Sequence, residues 1–384
     1  MPQTWNIFSE AADETPQLTG VDAVWKNADV QYRLRTNSCI ASETLLQLAQ
    51  DMKNAPEQYQ DACAHKILAT LFFEPSTRTR LSFESAMLSL GGRVLGFSAA
   101  ATTSAAKGET LGDTIEMVNG YADIIAIRHP GEGAAALAAS HAVIPLINAG
   151  DGGHFHPTQT LTDLFTIQSE LGTLSGLCIG LCGDLKYGRT VHSLIAAMIR
   201  YPGIRFVLIA PPELRLPRFC EEEMERAGVP YAYCDTIEEA VPSLDVLYMT
   251  RVQQERFSAG EQGKRYGAHL VLTPKILRRG KKTLRVLHPL PRVGEIETAV
   301  DADPRACYFR QAHNGRYVRM ALIASLLLCP KDNTVTPLLG QSDGILCKNP
   351  NCITAFEPTL PQLSVHTQNG IYCAYCDKEK SEDS

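Results

Sequence analysis

Hydrophobic positions along the chain fall into short dense runs separated by stretches with a helical repeat. Ile67–Phe73 is mostly apolar and is broken by Glu74-Pro75-Ser76; Phe83, Met87 and Leu90 then recur at the spacing of one helix face. Asp123–Arg128 (DIIAIR), Val143–Asn148 (VIPLIN), Leu177–Gly183 (LCIGLCG), Arg205–Ala210 (RFVLIA), Asp245–Thr250 (DVLYMT) and Leu284–His288 (LRVLH) have the pattern of further buried strands. One helix is predicted from about Thr158 to Glu170, with Leu161, Leu164, Phe165 and Gln168 on a face, and a last one from about Arg316 to Leu328. Strands apolar throughout, alternating with helices, belong in parallel sheets covered on both faces. The pattern therefore predicts an α/β fold of two doubly wound parallel-sheet domains, one before about residue 157 and one after. Cys329–Gly344 is rich in Pro, Gly, Asp and Thr and is predicted to be a linker.

The 384 residues allow two or three domains, so no single small module explains the chain. A net charge of −6 offers nothing that draws in nucleic acid or an anionic membrane by charge alone. No apolar run approaches the ~18 residues of a membrane span, and the opening MPQTWNIFSEAADET has neither the basic nor the apolar region of a signal peptide. The expected compartment is the cytoplasm. Eight of the 12 cysteines are scattered (Cys39, Cys63, Cys178, Cys182, Cys220, Cys234, Cys307, Cys329), several in apolar runs, and suit small buried hydrophobes in a reducing compartment.

Ligands of open parallel sheets bind at the carboxyl ends of strands, and there this chain places an unusual set of polar residues. Pro75-Ser76-Thr77-Arg78-Thr79-Arg80 joins a strand to a helix, with Ser76 as a natural N-cap. Free N–H groups, the helix dipole, three hydroxyls and Arg78 would make an anion site, although a capped helix with a solvated arginine is the commoner outcome of such a motif. Arg128-His129-Pro130 ends a strand, and His156-Pro157-Thr158-Gln159 enters a helix after the Gly-rich Ala149–Gly153. Gly183–Thr190 (GDLKYGRT) resembles a nucleotide phosphate loop, but Arg189 stands where that loop needs lysine, and a guanidinium suits a carboxylate better. Arg251-Val252-Gln253 and His288-Pro289-Leu290-Pro291-Arg292 follow two more strands. No nucleophilic Cys and no carboxylate pair is evident. Together these describe a site for a substrate carrying phosphate and carboxylates, working by positioning and electrostatics.

Read in order, FFEPSTRTR, RHP, HPTQT, GDLKYGRTVHSL, YMTRVQ and HPLPR resemble the aspartate carbamoyltransferase catalytic chain, from about Ile67 to Leu328. The resemblance implies transfer of the carbamoyl group of carbamoyl phosphate to L-aspartate in pyrimidine synthesis. It implies that Ser76, Thr77, Arg78 and Thr79 bind the phosphate, and that Arg128 binds phosphate and the carbonyl oxygen. Thr79, Arg128 and His156 would polarise that carbonyl. Gln159 and Leu290, with Pro289 beside it, would hold the carbamoyl NH2, and Arg189, Arg251 and Gln253 the aspartate. In this family a neighbouring subunit of a trimer completes each site; the matching loop, Thr103–Glu109, offers Ser104 and Lys107, the latter toward aspartate. Ornithine carbamoyltransferase, which shares the STRTR loop, and a non-catalytic scaffold of the same fold are the rival readings.

Cys347-x4-Cys352 and Cys373-x2-Cys376 have the spacing of a closed four-thiolate zinc site in a small β domain. That tail resembles the zinc-binding domain of the regulatory chain of the same enzyme, without its nucleotide-binding part. Zinc would be structural, and no catalytic cofactor is implied. The expected organisation is an N-terminal extension (1–35), a carbamoyl-phosphate domain (36–157, completed by helix 315–329), an aspartate domain (158–314), a linker (330–345) and the zinc tail (346–384). The partners implied are the two substrates, further copies of the chain and other pyrimidine-pathway proteins, with neither nucleic acid nor membrane among them.

Overall fold

A computed structural model describes residues 42–251, 270–328, 340–367 and 370–380 of the chain. The extension 1–35, most of the linker and Gln253 lie outside the described residues.

The first sheet is all parallel, in the order β2-β1-β3-β4: β1 Ile67–Phe72, β2 Arg93–Phe97, β3 Ile124–His129 and β4 Leu146–Asp151. The apolar runs of β1 and β3 form its buried centre, with Leu68, Leu71, Ile124 and Ile125 almost wholly excluded from water. Edge strand β2 is largely exposed. Helices α1 (Ser42–Asn54), α2 (Thr77–Ser89), α3 (Leu111–Asn119) and α4 (Ala134–His141) accompany this sheet. The fourth strand starts three residues later than the VIPLIN pattern predicts: Val143 is exposed, and pairing with β3 runs on through Ala149-Gly150-Asp151.

Helix α5 (Pro157–Leu171) leads to the second parallel sheet, in the order β7-β6-β5-β8-β9. Its strands are β5 Cys178–Cys182, β6 Arg205–Ile209, β7 Tyr231–Cys234, β8 Val246–Met249 and β9 Arg285–Leu287, with α6 (Arg189–Met198), α7 (Arg218–Arg226), α8 (Ile237–Ala240) and α9 (Pro274–Leu277) between them. The last long helix, α10 (Tyr308–Leu328), packs on α1, α5 and α2, so the C-terminal end of the catalytic part returns to the first domain. It begins eight residues before the predicted start, because Gln311 and Asn314 are polar residues turned inward and they hide the apolar repeat.

The tail is an antiparallel sheet, β10 (Gln341–Ser342), β11 (Leu363–Thr367), β12 (Gly370–Cys373) and β13 (Glu379–Lys380), with a short helix α11 (Ile353–Phe356). It does not hang free. Cys352, Ile353 and Tyr375 are buried in one cluster with Leu111, Ile115 and Ala134 of the first domain. Glu132 donates its N–H to the Asn351 carbonyl (2.7 Å) and accepts from Ile353 N–H (2.9 Å), and its side chain accepts from Asn349 Nδ2 (2.8 Å). Gly133 lies against the Tyr375 carbonyl at φ +86°, where a Cβ would collide with that backbone. No helix among the described residues is long and apolar enough to cross a membrane.

Candidate active site and metal centre

A cleft of about 1630 Å³ opens between the carboxyl ends of the two sheets. Ser76, Thr77, Arg78, Thr79, Arg128, His156, Gln159, Arg189, Arg251, Pro289 and Leu290 all line it. Each follows from the same rule: a parallel strand ends, and the turn into the next element presents polar groups to the cleft.

After β1 the chain turns at Glu74-Pro75-Ser76 into α2. Ser76 occupies the N-cap position, but its hydroxyl makes no bond to the helix, contrary to the capping reading. Ser76 and the first turn of this 13-residue helix line the cleft, and a helix N-terminus offers unpaired N–H groups to an anion. Arg78 lines the cleft, whereas Arg80 turns away to pair with Glu84 at 2.7 Å, so only one arginine of the motif serves the site. Burial, and then the neighbouring Arg128, depress the Arg78 guanidinium, as expected for two like charges gathered around a place for an anion.

Arg128 is the penultimate residue of β3 and is oriented by Glu74 (Nη2 to Oε1, 2.7 Å) and the Ala149 carbonyl (3.3 Å). Gly150, at φ +123°, leaves room for it, since a Cβ there would stand 3.1 Å from Arg128 Nη1. Arg128 Nε and His156 Nδ1, buried atoms of two cleft-lining side chains, have no hydrogen-bond partner among the described residues. His156 precedes Pro157 at the start of α5. Burial, then Arg189, Arg128 and Arg319, hold its imidazole well below the ordinary range, so it stands neutral among cations. A neutral imidazole has one N–H to donate.

In the second domain Arg189 opens α6. The turn before it is closed on itself: Asp184 Oδ1 accepts the Tyr187 N–H (2.9 Å), and Asp184 N–H donates to Thr250 Oγ1 (3.0 Å). An internal carboxylate in this position rules out the cradle of a nucleotide phosphate loop. His288 Nδ1 accepts the Leu290 N–H (2.7 Å), which leaves Nε2 to donate to Glu295 (2.7 Å) and sets the ring's tautomer.

Ser104 and Lys107 are exposed in a short turn and do not line the cleft of their own chain. The residues that sequence reasoning missed are Glu74, Arg215 and Arg319, together with Asn351 and Lys378, which reach the cleft from the tail. None carries a local signal. Glu74 read as a strand breaker, and Arg319 as part of an amphipathic helix.

The thiol sulfurs of Cys347, Cys352, Cys373 and Cys376 all lie within 4.8 Å of one another, with Cys347–Cys376 at 3.6 Å and Cys352–Cys373 at 3.8 Å. Tetrahedral bonds of about 2.3 Å from one metal ion place sulfurs about 3.8 Å apart, so the four thiols fit such an ion.

Residues 34–169 match the carbamoyl-P binding domain of aspartate/ornithine carbamoyltransferase, and residues 175–326 its Asp/Orn binding domain. The aspartate carbamoyltransferase catalytic subunit of Lachnoclostridium phytofermentans is 57% identical over 284 residues, 74% of this chain and 92% of that one. The chain belongs to the aspartate carbamoyltransferase family. The Clostridium novyi catalytic subunit is 55% identical over 285 residues, again covering 74% of this chain and 93% of that one. Among solved structures of the family, Trypanosoma cruzi aspartate transcarbamoylase in complex with carbamoyl phosphate and aspartate superposes with a TM-score of 0.69 at 40% identity, covering 74% of this chain and 92% of that one. The M. jannaschii catalytic subunit gives 0.70 at 43%, with 74% and 93% covered. Residues 342–384 match the metal binding domain of the aspartate carbamoyltransferase regulatory chain, so the segment that carries the four cysteines resembles that domain.

Proposed function

We propose that the chain transfers the carbamoyl group of carbamoyl phosphate to the amine of L-aspartate, giving N-carbamoyl-L-aspartate and phosphate in cytoplasmic pyrimidine synthesis. The observation that carries this reading is the convergence of the β1–α2 anion turn, Arg128, Arg189, Arg251 and a neutral His156 in one cleft.

Phosphate sits on the hydroxyls and N–H groups of Ser76, Thr77 and Thr79 with the Arg78 guanidinium. Arg128 spans phosphate and the carbonyl oxygen. Gln159 and Leu290, beside Pro289, take the carbamoyl NH2, and Arg189, Arg251 and Gln253 take the aspartate carboxylates. The amine attacks the carbonyl carbon, a C–N bond forms, and charge collects on oxygen. Thr79, Arg128 and neutral His156 already donate to that oxygen, and one such donor is worth about 3 kcal/mol of barrier. The C–O bond to phosphate then breaks, phosphate leaves with the electron pair, and the amine proton passes to a phosphate oxygen. Ser104 and Lys107 are exposed and do not line their own cleft, which supports a trimer in which they complete a neighbour's site. The four thiolates hold one structural Zn²⁺, which serves the fold of the tail.

Turnover of carbamoyl phosphate with aspartate, measured against ornithine, tests the reading. Product with aspartate alone is expected; product with ornithine alone would overturn it.

A further inference from the structure

Behind the cleft, three separate elements meet on one buried carboxylate. Asp163 of α5 is 1% exposed and does not line the cleft. Its Oδ1 accepts from Gln159 Nε2 (2.7 Å) and Gln311 Nε2 (2.6 Å), and its Oδ2 from the Tyr248 hydroxyl (2.9 Å). Gln311, on α10, uses its other end to accept the His288 N–H (2.9 Å), and His288 in turn holds the Leu290 N–H. Both groups assigned to the carbamoyl NH2, Gln159 and Leu290, are therefore tied to Asp163, one directly and one through Gln311 and His288.

We infer that Asp163 is a positioning and specificity residue, which fixes the Gln159 amide so that the cleft recognises an NH2 on the group being transferred. The inference rests on the carbamoyl-transfer reading. Its logic is donor and acceptor bookkeeping. An ionised carboxylate only accepts hydrogen bonds, so the atom Gln159 turns toward it is Nε2. That leaves Oε1 as the amide's other polar atom for the cleft that Gln159 lines. Oε1 accepts hydrogen bonds. A carbamoyl group offers N–H there, whereas an acetyl group offers only a methyl and leaves a buried acceptor unpaired, which is the strong form of discrimination. Without Asp163 the amide is free to rotate by half a turn, and the preference is lost. Burial pushes the Asp163 carboxyl up to about 7, against the pull of its hydrogen bonds from Gln311, Gln159 and Tyr248. The comparison therefore belongs well above that value, where the carboxylate is ionised.

The test compares carbamoyl phosphate, acetyl phosphate and inorganic phosphate binding to the full-length zinc-loaded protein. Asp163→Ala is expected to weaken carbamoyl phosphate about tenfold while leaving acetyl phosphate and inorganic phosphate within twofold. In a Gln159→Ala background the same substitution should add little, because the residue acts through Gln159. Should Asp163→Ala fail to fold, Asp163→Ser carries the same expectation: its hydroxyl ends one bond short of Gln159, while water can satisfy Gln311 and Tyr248. Equal weakening of all three ligands, unchanged selectivity in a folded variant, or additive losses with Gln159→Ala would overturn the inference. Failure of the wild-type protein to prefer carbamoyl over acetyl phosphate would instead count against the carbamoyl-transfer reading itself.

Discussion

His154 Nε2 lies 3.2 Å from Asp377 Oδ2 while Nδ1 lies 3.1 Å from Asp151 Oδ2, so a single imidazole joins the first domain to the cysteine-bearing tail. Asp151 is the last residue of β4, and Asp377 follows the cysteine Cys376 directly. Burial alone would lower the ring's affinity for a proton, but Asp151 and then Asp377 raise it, to about 9 from an ordinary 6.5. The imidazolium is the form that joins two carboxylates.

The sign of the pH dependence follows. A group whose folded value is raised stabilises the fold fully below its unfolded value and loses that contribution as pH rises through the folded one. His154→Gln should therefore lower the Tm of the zinc-loaded protein below pH 6.5, and the difference should shrink as pH passes 9. Each kcal/mol lost corresponds to about 1–2 °C in a chain of 384 residues. A Tm difference that stays constant from acid to alkaline pH would show that the ring's charge plays no part.

The two sheets were legible because β1, β3, β5 and β8 are central and covered on both faces, so apolar runs alone mark them. Edge strands β2 and β7 were not, since Arg93, Leu95 and Gly96 are exposed and Tyr231–Cys234 is only half-buried. The residues that line the cleft were legible for a related reason: strand-to-helix turns sit next to the most readable strands. Glu74 was invisible because its role is to orient Arg128, across 54 positions of chain. The docking of the tail was equally hidden. It rests on backbone hydrogen bonds between Glu132 and Asn351-Cys352-Ile353, more than 200 residues apart, and backbone groups leave no mark on composition.

Arg78 and Arg251 should divide the two substrates between them. Arg78 stands at the first turn of α2, beside the anion turn, and Arg251 follows β8 of the other sheet. Arg78→Ala should weaken carbamoyl phosphate by the worth of a charge-assisted hydrogen bond, about 1.5–3 kcal/mol. Arg251→Ala should leave that affinity near wild type and raise the KM for aspartate by a similar energy. Calorimetric titration of each variant with carbamoyl phosphate, and aspartate kinetics at saturating carbamoyl phosphate, check the division. Equal losses for both ligands in both variants would dissolve it.

Shared sites make a different demand. If Ser104 and Lys107 act on a neighbour's cleft, Lys107→Ala and Arg251→Ala each impair a site from different chains. Mixing the two impaired proteins under conditions of subunit exchange should then restore part of the activity at low aspartate, because a mixed trimer contains at least one site free of both lesions. Exchange is verified by native mass spectrometry of differently tagged chains. Activity that does not recover in assemblies shown to be mixed would mean that Lys107 serves its own chain and not a neighbour's cleft.

The tail gives the last prediction, and here two structural facts pull against each other. The residues assigned to chemistry all precede residue 329, so loss of metal should not remove any of them. Yet the tail is packed into the first domain, with Cys352, Ile353 and Tyr375 in a buried cluster with Leu111, Ile115 and Ala134. Its backbone also grips Glu132 and Gly133, only four and five residues beyond Arg128. A domain of this size lacks core enough to fold by itself, and structural zinc sites supply about 10–16 kcal/mol. Chelation, or Cys373→Ser, should therefore unfold the tail and loosen the turn after β3. The expected result is lower thermal stability and a several-fold loss of turnover, concentrated in carbamoyl phosphate affinity through Arg128, with measurable transfer remaining. Metal analysis of protein purified under reducing, chelator-free conditions should find one zinc per chain. Hydrogen exchange should show Glu132 and Gly133 opening together with Asn351–Ile353 when the metal is removed. Complete loss of activity in a Cys373→Ser protein that remains folded and assembled would mean that the metal site takes part in catalysis, and protein free of zinc as purified would mean that the four thiols serve another purpose.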